Sequence, residues 1–365
     1  MNQTADERLM AECLRLARKG AGYVSPNPLV GAIVVLNGKV VGKGFHERFG
    51  GPHAEVNAIR NALKKRMNIS GATLYVNLEP CSHHGKTPPC VDAITAHGIT
   101  RVVCAMKDPN PLVAGRGFRS LRSRGVEIEV GVMAEEAERL NEKFSKFITT
   151  GIPFVALKAA QTSDGFAARP DGTSRWITTK RSRTMVHALR SEYDGVLVGA
   201  GTIIADNPRL NVRHVEGRDP RRIILDGKFR APITSHVFND RERNRTILFS
   251  DRKQAARIRK VEKRGVEVVL MKAKGGAIPV NKILKELGIR GIASVLIEGG
   301  PATHHLFLKE GAVDRVYLFT ARKKFGDGLP SFGKSVRPFV LRNKKKLRLG
   351  GDTLVEGRLK SRARG

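Results

Sequence analysis

One set of metal-binding residue types constrains the fold of this chain more than any other feature. His53-Ala-Glu55 is followed by Pro80-Cys81 and, after eight further residues, by Cys90. One imidazole and two thiolates can hold Zn²⁺ tetrahedrally and leave the fourth position to water, whose pKa falls from about 15.7 in bulk towards ~7 on the metal. Each of these residues alone would be an ordinary core or surface residue. Their order, and the strand-like run 72–76 that leads to Pro80, indicate a metal site.

Glu55 lies two residues beyond His53 and is the predicted proton shuttle, which transfers a proton from water to the ring nitrogen and the leaving amine. This residue set is typical of zinc-dependent nucleobase deaminases. The eight-residue gap between the cysteines is longer than the two-residue gap of ordinary cytidine and transfer-RNA adenosine deaminases. His83 and His84 lie within it as rival ligands, but a fourth protein ligand would close the position that catalysis needs open. We therefore expect them to be loop or substrate contacts.

Three segments of the first half carry a resemblance to a known family. They are 25–31, 44–55 and 107–117, and with the long cysteine loop they are similar to the deaminase domain of the bifunctional deaminase/reductase family of riboflavin biosynthesis. The resemblance implies a cytidine-deaminase-like α/β/α domain at 1–148. It also implies that Asn27, His46 and Lys86 contact the pyrimidine and its ribose phosphate.

The second half resembles the reductase domain of the same family. The segments that carry this resemblance follow one another in the expected order, at 157–158, 162–165, 174–178 and 297–301. A dihydrofolate-reductase-like α/β domain at 152–360 is implied. The implied function is zinc-dependent deamination of a diaminopyrimidinone ribosyl phosphate, followed by NADPH-dependent reduction of its ribosyl chain to ribityl. The implied cofactors are Zn²⁺ and NADPH.

The resemblance also assigns residues of the reductase site. Lys158 is placed near the reacting ribose, and the substrate and its phosphate would contact Ser174, Arg190, Leu210 and Arg213. Arginine suits a phosphate because its guanidinium can bind two oxygens at once. The NADPH site would be lined by Gln161, Trp176, Thr202, Asp206, Glu298, Gly299, Gly300 and Pro301.

Some of these assignments have ordinary structural alternatives. Trp176 and Leu210 could simply pack in the core. Gln161 stands where a small residue is usual in the family, and Gly227 stands where a serine is common. The turn 298–301 follows a predicted strand and precedes a predicted helix, so it can present backbone N–H groups to an anion. The glycine pair in Gly199-Ala-Gly201 lacks the third small residue of a dinucleotide fingerprint and is weak evidence.

The charge of the chain suggests a different function. The formal net charge is +32, of which residues 1–150 carry +7 and residues 151–365 carry +25. A transfer-RNA or DNA base deaminase with a basic C-terminal domain is the alternative, and a degenerate interaction module is another. The sequence contains no helix-turn-helix, finger or aromatic-basic RNA motif. Nucleic acid is therefore an unexpected partner, and the excess charge is interpreted as a solvated surface.

Length and composition fit a two-domain enzyme. The 365 residues exceed one ordinary core, and 41% are hydrophobic and 27% charged. No apolar run approaches the roughly 18 residues of a membrane span, and the first residues lack a signal-peptide core, so we expect a cytoplasmic protein without membrane contact. Cys13 and Cys104 are predicted core residues. The resemblance implies a homo-oligomer.

Periodicity predicts alternating helices and strands in both halves, and therefore layered α/β domains. In the first half we predict a hairpin at Asn37-Gly38 and a single helix over 135–147 that leaves the domain. The boundary is predicted at 151–153. In the second half we predict strands and helices from 154 to 319, including a helix over 252–264.

Overall fold

The computed structural model describes residues 3–173, 177–251, 255–273, 278–333 and 340–359. The chain forms two compact units, Met1–Gly151 and Ile152–Gly365. Each unit has its own β-sheet.

The first unit is a five-stranded sheet with helices. Its strands are β1 Gly31–Leu36, β2 Lys39–Phe45, β3 Thr73–Val76, β4 Arg101–Cys104 and β5 Glu127–Val130, in the order β2-β1-β3-β4-β5. Its helices are α1 Ala5–Ala17, α2 Ala54–Lys64, α3 Cys90–Ala96, α4 Arg116–Ser123, α5 Ala134–Leu140 and α6 Glu142–Thr150. β1 is antiparallel to β2 and β3, whereas β3, β4 and β5 are parallel.

Local sequence explains how this unit begins. Thr4 and Glu7 form a reciprocal capping box at the start of α1, which satisfies two backbone N–H groups. β1 is an almost fully buried apolar run, as expected for a strand in the middle of a sheet. Asn37 and Gly38 both have positive φ, 49° and 75°, and form the predicted hairpin turn between β1 and β2.

The parallel strands direct the chain towards the predicted metal ligands. β3 ends at Val76 and the chain continues to Cys81, while Cys90 is the first residue of α3. His53 is the N-cap of α2 in an extended conformation, with φ −74° and ψ 163°. The openings of two helices and the loop after β3 therefore form one end of the layer, where ligands of α/β sheets usually bind.

The second unit is a nine-stranded sheet with helices. Its strands are β6 Phe154–Gln161, β8 Gly195–Gly199, β9 Arg221–Leu225, β10 Thr246–Ser250, β11 Glu267–Leu270, β12 Ser294–Ile297, β13 Arg315–Thr320, β15 Leu341–Leu349 and β16 Asp352–Leu359. Its helices are α7 Lys180–Glu192, α8 Ala200–Asp206, α9 His236–Asn239, α10 Ala255–Glu262, α11 Val280–Ile289 and α12 Pro301–Lys309. A separate two-stranded pair is formed by β7 Phe166–Ala168 and β14 Leu329–Pro330.

The order of the large sheet is β11-β10-β9-β8-β12-β6-β13-β16-β15. All neighbours from β11 to β13 are parallel, whereas the β13–β16 and β16–β15 pairs are antiparallel. The strands predicted between residues 154 and 319 are confirmed. The closing β15–β16 hairpin and the short helix α8 were not predicted, and the residues 252–254 of the predicted helix over 252–264 lie outside the described residues.

The prediction of one helix over 135–147 is wrong. α5 ends and α6 begins at Asn141, which is 2% exposed. Its side-chain Oδ1 accepts the N–H of Leu29 at 2.8 Å and its Nδ2 donates to the Leu29 carbonyl at 3.0 Å. A local helical pattern cannot reveal this break, because the partner is 112 residues away in sequence.

Candidate zinc centre and reductase cavity

The predicted metal ligands lie together in the first unit. His53 Nδ1 is 3.2 Å from Cys90 Sγ and 3.4 Å from Cys81 Sγ, and the three ligand atoms all lie within 4.8 Å of one another. Zinc bound tetrahedrally at Zn–N and Zn–S lengths of about 2.1 and 2.3 Å places its nitrogen and sulfur ligands about 3.6 Å apart. The spacing and the donor types therefore fit Zn²⁺ with three protein ligands.

The electrostatics of the two thiols also fit a metal site. Hydrogen bonding by the Cys90 thiol, and then by His53, lowers the pKa of Cys81 to about 4. The Cys90 backbone N–H donates to Cys81 Sγ at 3.3 Å. The same thiol pair raises the pKa of Cys90, because a second thiolate beside the first is unfavourable without a cation. A divalent metal removes that conflict, since thiolates are its ligand form.

Glu55 lies in the first turn of α2 and is 3% exposed. Burial raises its pKa above the ordinary value, and the nearby His53 opposes that rise. A buried carboxyl group beside the ligands can therefore hold a proton at a pH where an exposed glutamate would not. This property suits the predicted proton shuttle.

The predicted substrate residues Asn27 and His46 form one pair. The Asn27 side-chain amide lies 3.1 Å from His46 Nε2, and His46 Nδ1 lies 3.0 Å from the Pro52 carbonyl. A neutral His46 satisfies both contacts, donating from Nδ1 to Pro52 and accepting from Asn27 at Nε2. Burial lowers the pKa of His46, which is consistent with this neutral form. His46 is 2% exposed, so its partners in this structure are protein groups.

The long loop between the cysteines places its charged residues outward. Lys86 is exposed, and its ammonium lies 4.0 Å from the centre of the Phe49 ring, a cation–π contact. His83 and His84 are exposed as well. Within the described part of the chain, the metal-binding group comprises only His53, Cys81 and Cys90, so neither loop histidine joins it.

Glu79 is a residue of this site that sequence reasoning missed. It is 4% exposed, and its carboxylate accepts the backbone N–H groups of Asp108, Gly115, Gly117 and Phe118 at 3.1, 2.9, 2.9 and 3.4 Å. A Cβ at Gly117 would overlap the carbonyl oxygen of Pro80, so the two backbones can approach only with glycine there. The segment 108–118 is thereby held against the residues that precede Cys81. Two sequence features could have indicated this role: the glutamate directly before Pro80-Cys81, and the glycines at 115 and 117.

In the second unit, most of the predicted reductase residues line one cavity of about 1160 Å³. This volume exceeds the roughly 300–1,000 Å³ of drug-sized ligand pockets and suits a dinucleotide with a substrate. The predicted residues that line it are Lys158, Arg190, Thr202, Asp206, Arg213, Glu298, Gly299, Gly300 and Pro301, together with Gly227.

The other four predicted residues are not among the described residues that line this cavity. Ser174 and Trp176 lie outside the described residues. Leu210 is 3% exposed and packs in an apolar cluster. Gln161 ends β6, where its amide donates to Thr320 Oγ1 at 3.4 Å. The contacts predicted for these four residues stay predictions.

A buried ion pair lies in the cavity wall beside Lys158. Arg190 Nε and Nη2 donate to the two oxygens of Glu298 at 2.5 and 2.9 Å, and the side chains are 12% and 6% exposed. Arg190 Nη1 donates to the Asn211 carbonyl at 3.1 Å. Burial opposes ionisation of Glu298, but the charge and hydrogen bonds of Arg190 hold its pKa below the ordinary value. Burial lowers the pKa of Lys158, while Glu298 opposes that shift.

Arg213 has fewer protein partners than Arg190. Its backbone N–H donates to His187 Nδ1 at 3.2 Å, and its guanidinium is hydrogen-bonded to the Asn211 side chain. Burial, followed by the charges of Arg190 and Arg213, lowers the pKa of His187 to about 4. The neutral His187 therefore accepts from Arg213 without adding a third cation, and Arg213 is the better placed of the two arginines to bind an anion.

The glycine turn after β12 completes the cavity. Gly300 is the N-cap of α12 and Pro301 is its first residue, so the free N–H groups of this nine-residue helix open next to the lining residues. An ideal Cβ at Gly300 would find only Thr202 Oγ1 nearby, at 3.8 Å, and one at Gly201 would meet no atom within 4 Å. This open, small-residue wall fits the diphosphate of a nicotinamide cofactor.

The fold and the two sites define a class: a zinc deaminase domain joined to a dinucleotide-dependent reductase domain. Residues 3–106 match the family model of the cytidine and deoxycytidylate deaminase zinc-binding region, and residues 153–355 match that of the RibD C-terminal domain. The riboflavin biosynthesis protein RibD of Aquifex aeolicus is 45% identical over 97% of this chain and 98% of its own length. The Escherichia coli RibD is 38% identical over 88% of this chain and 89% of its own.

Solved structures give the same result. A Thermotoga maritima diaminohydroxyphosphoribosylaminopyrimidine deaminase/5-amino-6-(5-phosphoribosylamino)uracil reductase is 43% identical, with a TM-score of 0.85 over 98% of this chain and 99% of its own. Acinetobacter baumannii RibD reaches a TM-score of 0.86 at 34% identity, again over 98% and 99% of the chains. The chain belongs to the RibD family of bifunctional riboflavin-biosynthesis deaminase/reductases, whose cofactors are zinc and NADPH.

The family assignment confirms the predicted fold class, enzyme class and pathway. The comparisons give no support to the alternative of a nucleic-acid base deaminase. None of the helices among the described residues has the length and apolar character that crossing a lipid bilayer requires.

Proposed function

We propose that this chain deaminates a diaminopyrimidinone ribosyl phosphate in residues 1–148 and reduces the ribosyl chain of the product with NADPH in residues 152–360. The observation that carries this proposal is the occurrence, in one chain, of the His53–Cys81–Cys90 ligand group with Glu55 beside it and of a cavity lined by Lys158. The first supports hydrolytic deamination, and the second supports reduction by a bound dinucleotide.

In the deaminase site, His53, Cys81 and Cys90 would hold zinc, whose Lewis acidity would activate a water molecule. Glu55 would transfer one proton from water to the ring nitrogen and a second, from the hydroxyl group formed on the ring, to the amine, which leaves as ammonia. Its raised pKa supports this role, because the carboxyl group must carry the proton during turnover. Glu55 does not bind the metal.

Asn27 orients the pyrimidine, and His46 holds Asn27 in place. The contact of the Asn27 amide with His46 supports this division, since it leaves the Asn27 oxygen to face a ring N–H group. Lys86 binds the ribose phosphate at the mouth of the site. Its exposed position over Phe49 supports this role, because the ring holds the ammonium in place while the exposed side of the ammonium stays open to an anion.

In the reductase site, the turn 299–301 would hold the diphosphate of NADPH, which would supply the hydride. Lys158 lies at the reacting ribose and donates a proton or hydrogen bond to the oxygen that gains charge, a role that its lowered pKa supports. Arg213 binds the substrate phosphate. Arg190 acts mainly through Glu298, since three of its N–H groups already have protein acceptors.

The Glu55→Gln variant tests the division of the two activities. We expect the zinc-loaded variant to keep stoichiometric zinc and to lose ammonia release by roughly 10²–10⁴-fold. It should oxidise NADPH at the wild-type rate when it is given the deaminated intermediate. Normal ammonia release, or loss of the metal, would refute the shuttle role of Glu55.

A coupled assay with the wild-type protein tests the whole proposal. Ammonia release without NADPH oxidation would leave only the deaminase, and the absence of both signals would favour the nucleic-acid alternative. We further propose that the enzyme is cytoplasmic and homo-oligomeric, and sedimentation of the purified protein tests the second point. Apart from Lys158, Arg190 and Arg213, the positive charge of residues 151–365 has no part in this mechanism.

A further inference from the structure

The eight-residue loop between the cysteine ligands turns one side chain inward. His83, His84, Gly85 and Lys86 are exposed, but the next residue, Thr87, is half-buried. The Gly85 backbone N–H donates to the Thr87 carbonyl at 3.2 Å, which forms a tight turn at this point. The loop therefore extends into solvent and returns to the metal ligands at Thr87.

Thr87 meets the ring nitrogen of His53 that faces away from the sulfurs. Nδ1 of His53 is 3.2 and 3.4 Å from the two Sγ atoms, whereas Nε2 is 3.4 Å from Thr87 Oγ1. A neutral imidazole that ligates a metal through Nδ1 carries its proton on Nε2. Thr87 Oγ1 lies where it can accept that proton in a hydrogen bond.

We propose that Thr87 is the positioning residue of the zinc ligand His53, which fixes its tautomer and ring orientation. This inference rests on the proposed zinc site. Ligating histidines generally donate their second N–H to an acceptor, and loss of that acceptor typically costs 10–100-fold in metal affinity or activity. The expanded loop then has a structural purpose besides presenting Lys86: it carries an acceptor back to a ligand.

The residue type suits this task. A threonine is β-branched, so its χ1 angle is restricted and its hydroxyl can be ordered at small entropic cost. The hydroxyl can accept from Nε2 and donate elsewhere at the same time. Serine keeps the acceptor but loses the restriction, and valine keeps the shape but loses the acceptor. The two substitutions therefore separate hydrogen bonding from packing.

The experiment compares zinc affinity of the full-length wild type, Thr87→Val and Thr87→Ser by competition with a chromogenic chelator. We expect Thr87→Val to bind zinc 10–100-fold more weakly and Thr87→Ser to recover most of that loss. NADPH oxidation with the deaminated intermediate should be equal in all three proteins, which controls for folding and concentration. Equal zinc affinity of Thr87→Val and the wild type would overturn the inference.

A measurement on the wild type makes the test independent of any variant. In ¹⁵N-histidine NMR spectra of the zinc-loaded protein, we expect His53 to show a proton on Nε2 that exchanges slowly with water and a metal-bound Nδ1. A His53 that ligates through Nε2, or whose Nε2 proton exchanges as fast as that of an exposed histidine, would overturn the inference. A wild type that binds no zinc would instead refute the proposed function.

Discussion

The zinc centre and the reductase cavity are assembled in opposite ways. The zinc centre takes its ligands and Glu55 from two short stretches, 53–55 and 81–90, each of which leads into a helix. The cavity takes its residues from strands, helices and turns spread over 158–329, and its ion pair joins residues 108 positions apart. Metal ligation needs few residues with strict spacing, so it leaves a local pattern. A dinucleotide cavity needs an extended wall, which the strand order creates.

The largest expected effect concerns the compact site. Cys90→Ser removes one of three ligands, so we expect loss of stoichiometric zinc and at least a 10³-fold fall in ammonia release. Reduction of the deaminated intermediate should continue, because that cavity lies in the other unit. Zinc content by atomic emission and the two separate activity assays measure this. Retention of one zinc per chain would mean that the ligand lies elsewhere.

In the reductase cavity we expect a large effect from the loss of one buried charge. Glu298→Gln leaves Arg190 buried without its carboxylate, and breaking one partner of a buried pair typically costs about 3–5 kcal/mol. We also expect NADPH oxidation to fall roughly 10²-fold, because Lys158 loses the nearby anion. Urea unfolding and steady-state kinetics with the deaminated intermediate are the measurements.

Glu267→Gln is the matched control for Glu298→Gln. Glu267 pairs with Arg221 and Arg290 in the same unit, but its side chain is 38% exposed. Exposed pairs are worth about 0–1 kcal/mol, so this variant should stay close to the wild type in both measurements. If the two variants lose the same stability, the Arg190–Glu298 pair behaves as a surface pair and its buried role is wrong.

The difference between a local site and an extended one also decides how much of each can be predicted from the sequence. The sequence was enough to predict the zinc ligands, Glu55 and the helices that carry them, because their spacing is local. Arg190 was predicted as a substrate contact and Glu298 as a cofactor contact. Their ion pair was not predicted, because it depends on α7 lying beside the end of β12. Leu210 could not be placed, because a leucine that packs and one that contacts a ligand look alike in sequence.

The terminal hairpin was missed for another physical reason. β15, with the sequence LRNKKKLRL, lacks the alternation of apolar and polar residues that marks a half-buried strand. It lies at the edge of the nine-stranded sheet, and seven of its nine residues are exposed. Charged side chains, lysine above all, are a common protection of sheet edges against pairing with another chain. Part of the unexplained positive charge is therefore accounted for by an edge strand.

Glu79→Gln tests the hydrogen bonds that hold segment 108–118 beside the zinc centre. In the wild type, backbone N–H groups donate to both oxygens of the Glu79 carboxylate. In the variant, the NH₂ group of glutamine replaces one of these oxygens and faces the N–H donors, and each unsatisfied buried group costs about 1–3 kcal/mol. We expect the first unit to lose about 2–4 kcal/mol in urea unfolding, with zinc still bound. Glu127→Gln is the control, since that side chain is 73% exposed. Unchanged stability would mean that segment 108–118 is held by other contacts.

The smallest expected effect is a pH dependence of the second unit. His187 is 5% exposed and its pKa is lowered to about 4, from about 6.5 when unfolded. Between those values the unfolded chain binds the additional proton, so stability contributed by His187 is complete above pH 6.5 and is lost as the pH falls towards 4. The full shift corresponds to about 3 kcal/mol, and we expect roughly 2 kcal/mol after structural relaxation.

His187→Gln should flatten this part of the profile, because glutamine cannot take up the proton. Urea unfolding of wild type and variant at pH 7, 5.5 and 4.5 tests it, with exposed His236→Gln as the control. His304, whose pKa burial also lowers to about 4, leaves a residual slope in the variant. If the slopes of wild type and His187→Gln agree, His187 is protonated beside Arg190 and Arg213 without cost, and the cavity wall must then open to water in acid. That outcome would also weaken the assignment of Arg213 as the phosphate ligand, because its backbone would lose its acceptor at Nδ1.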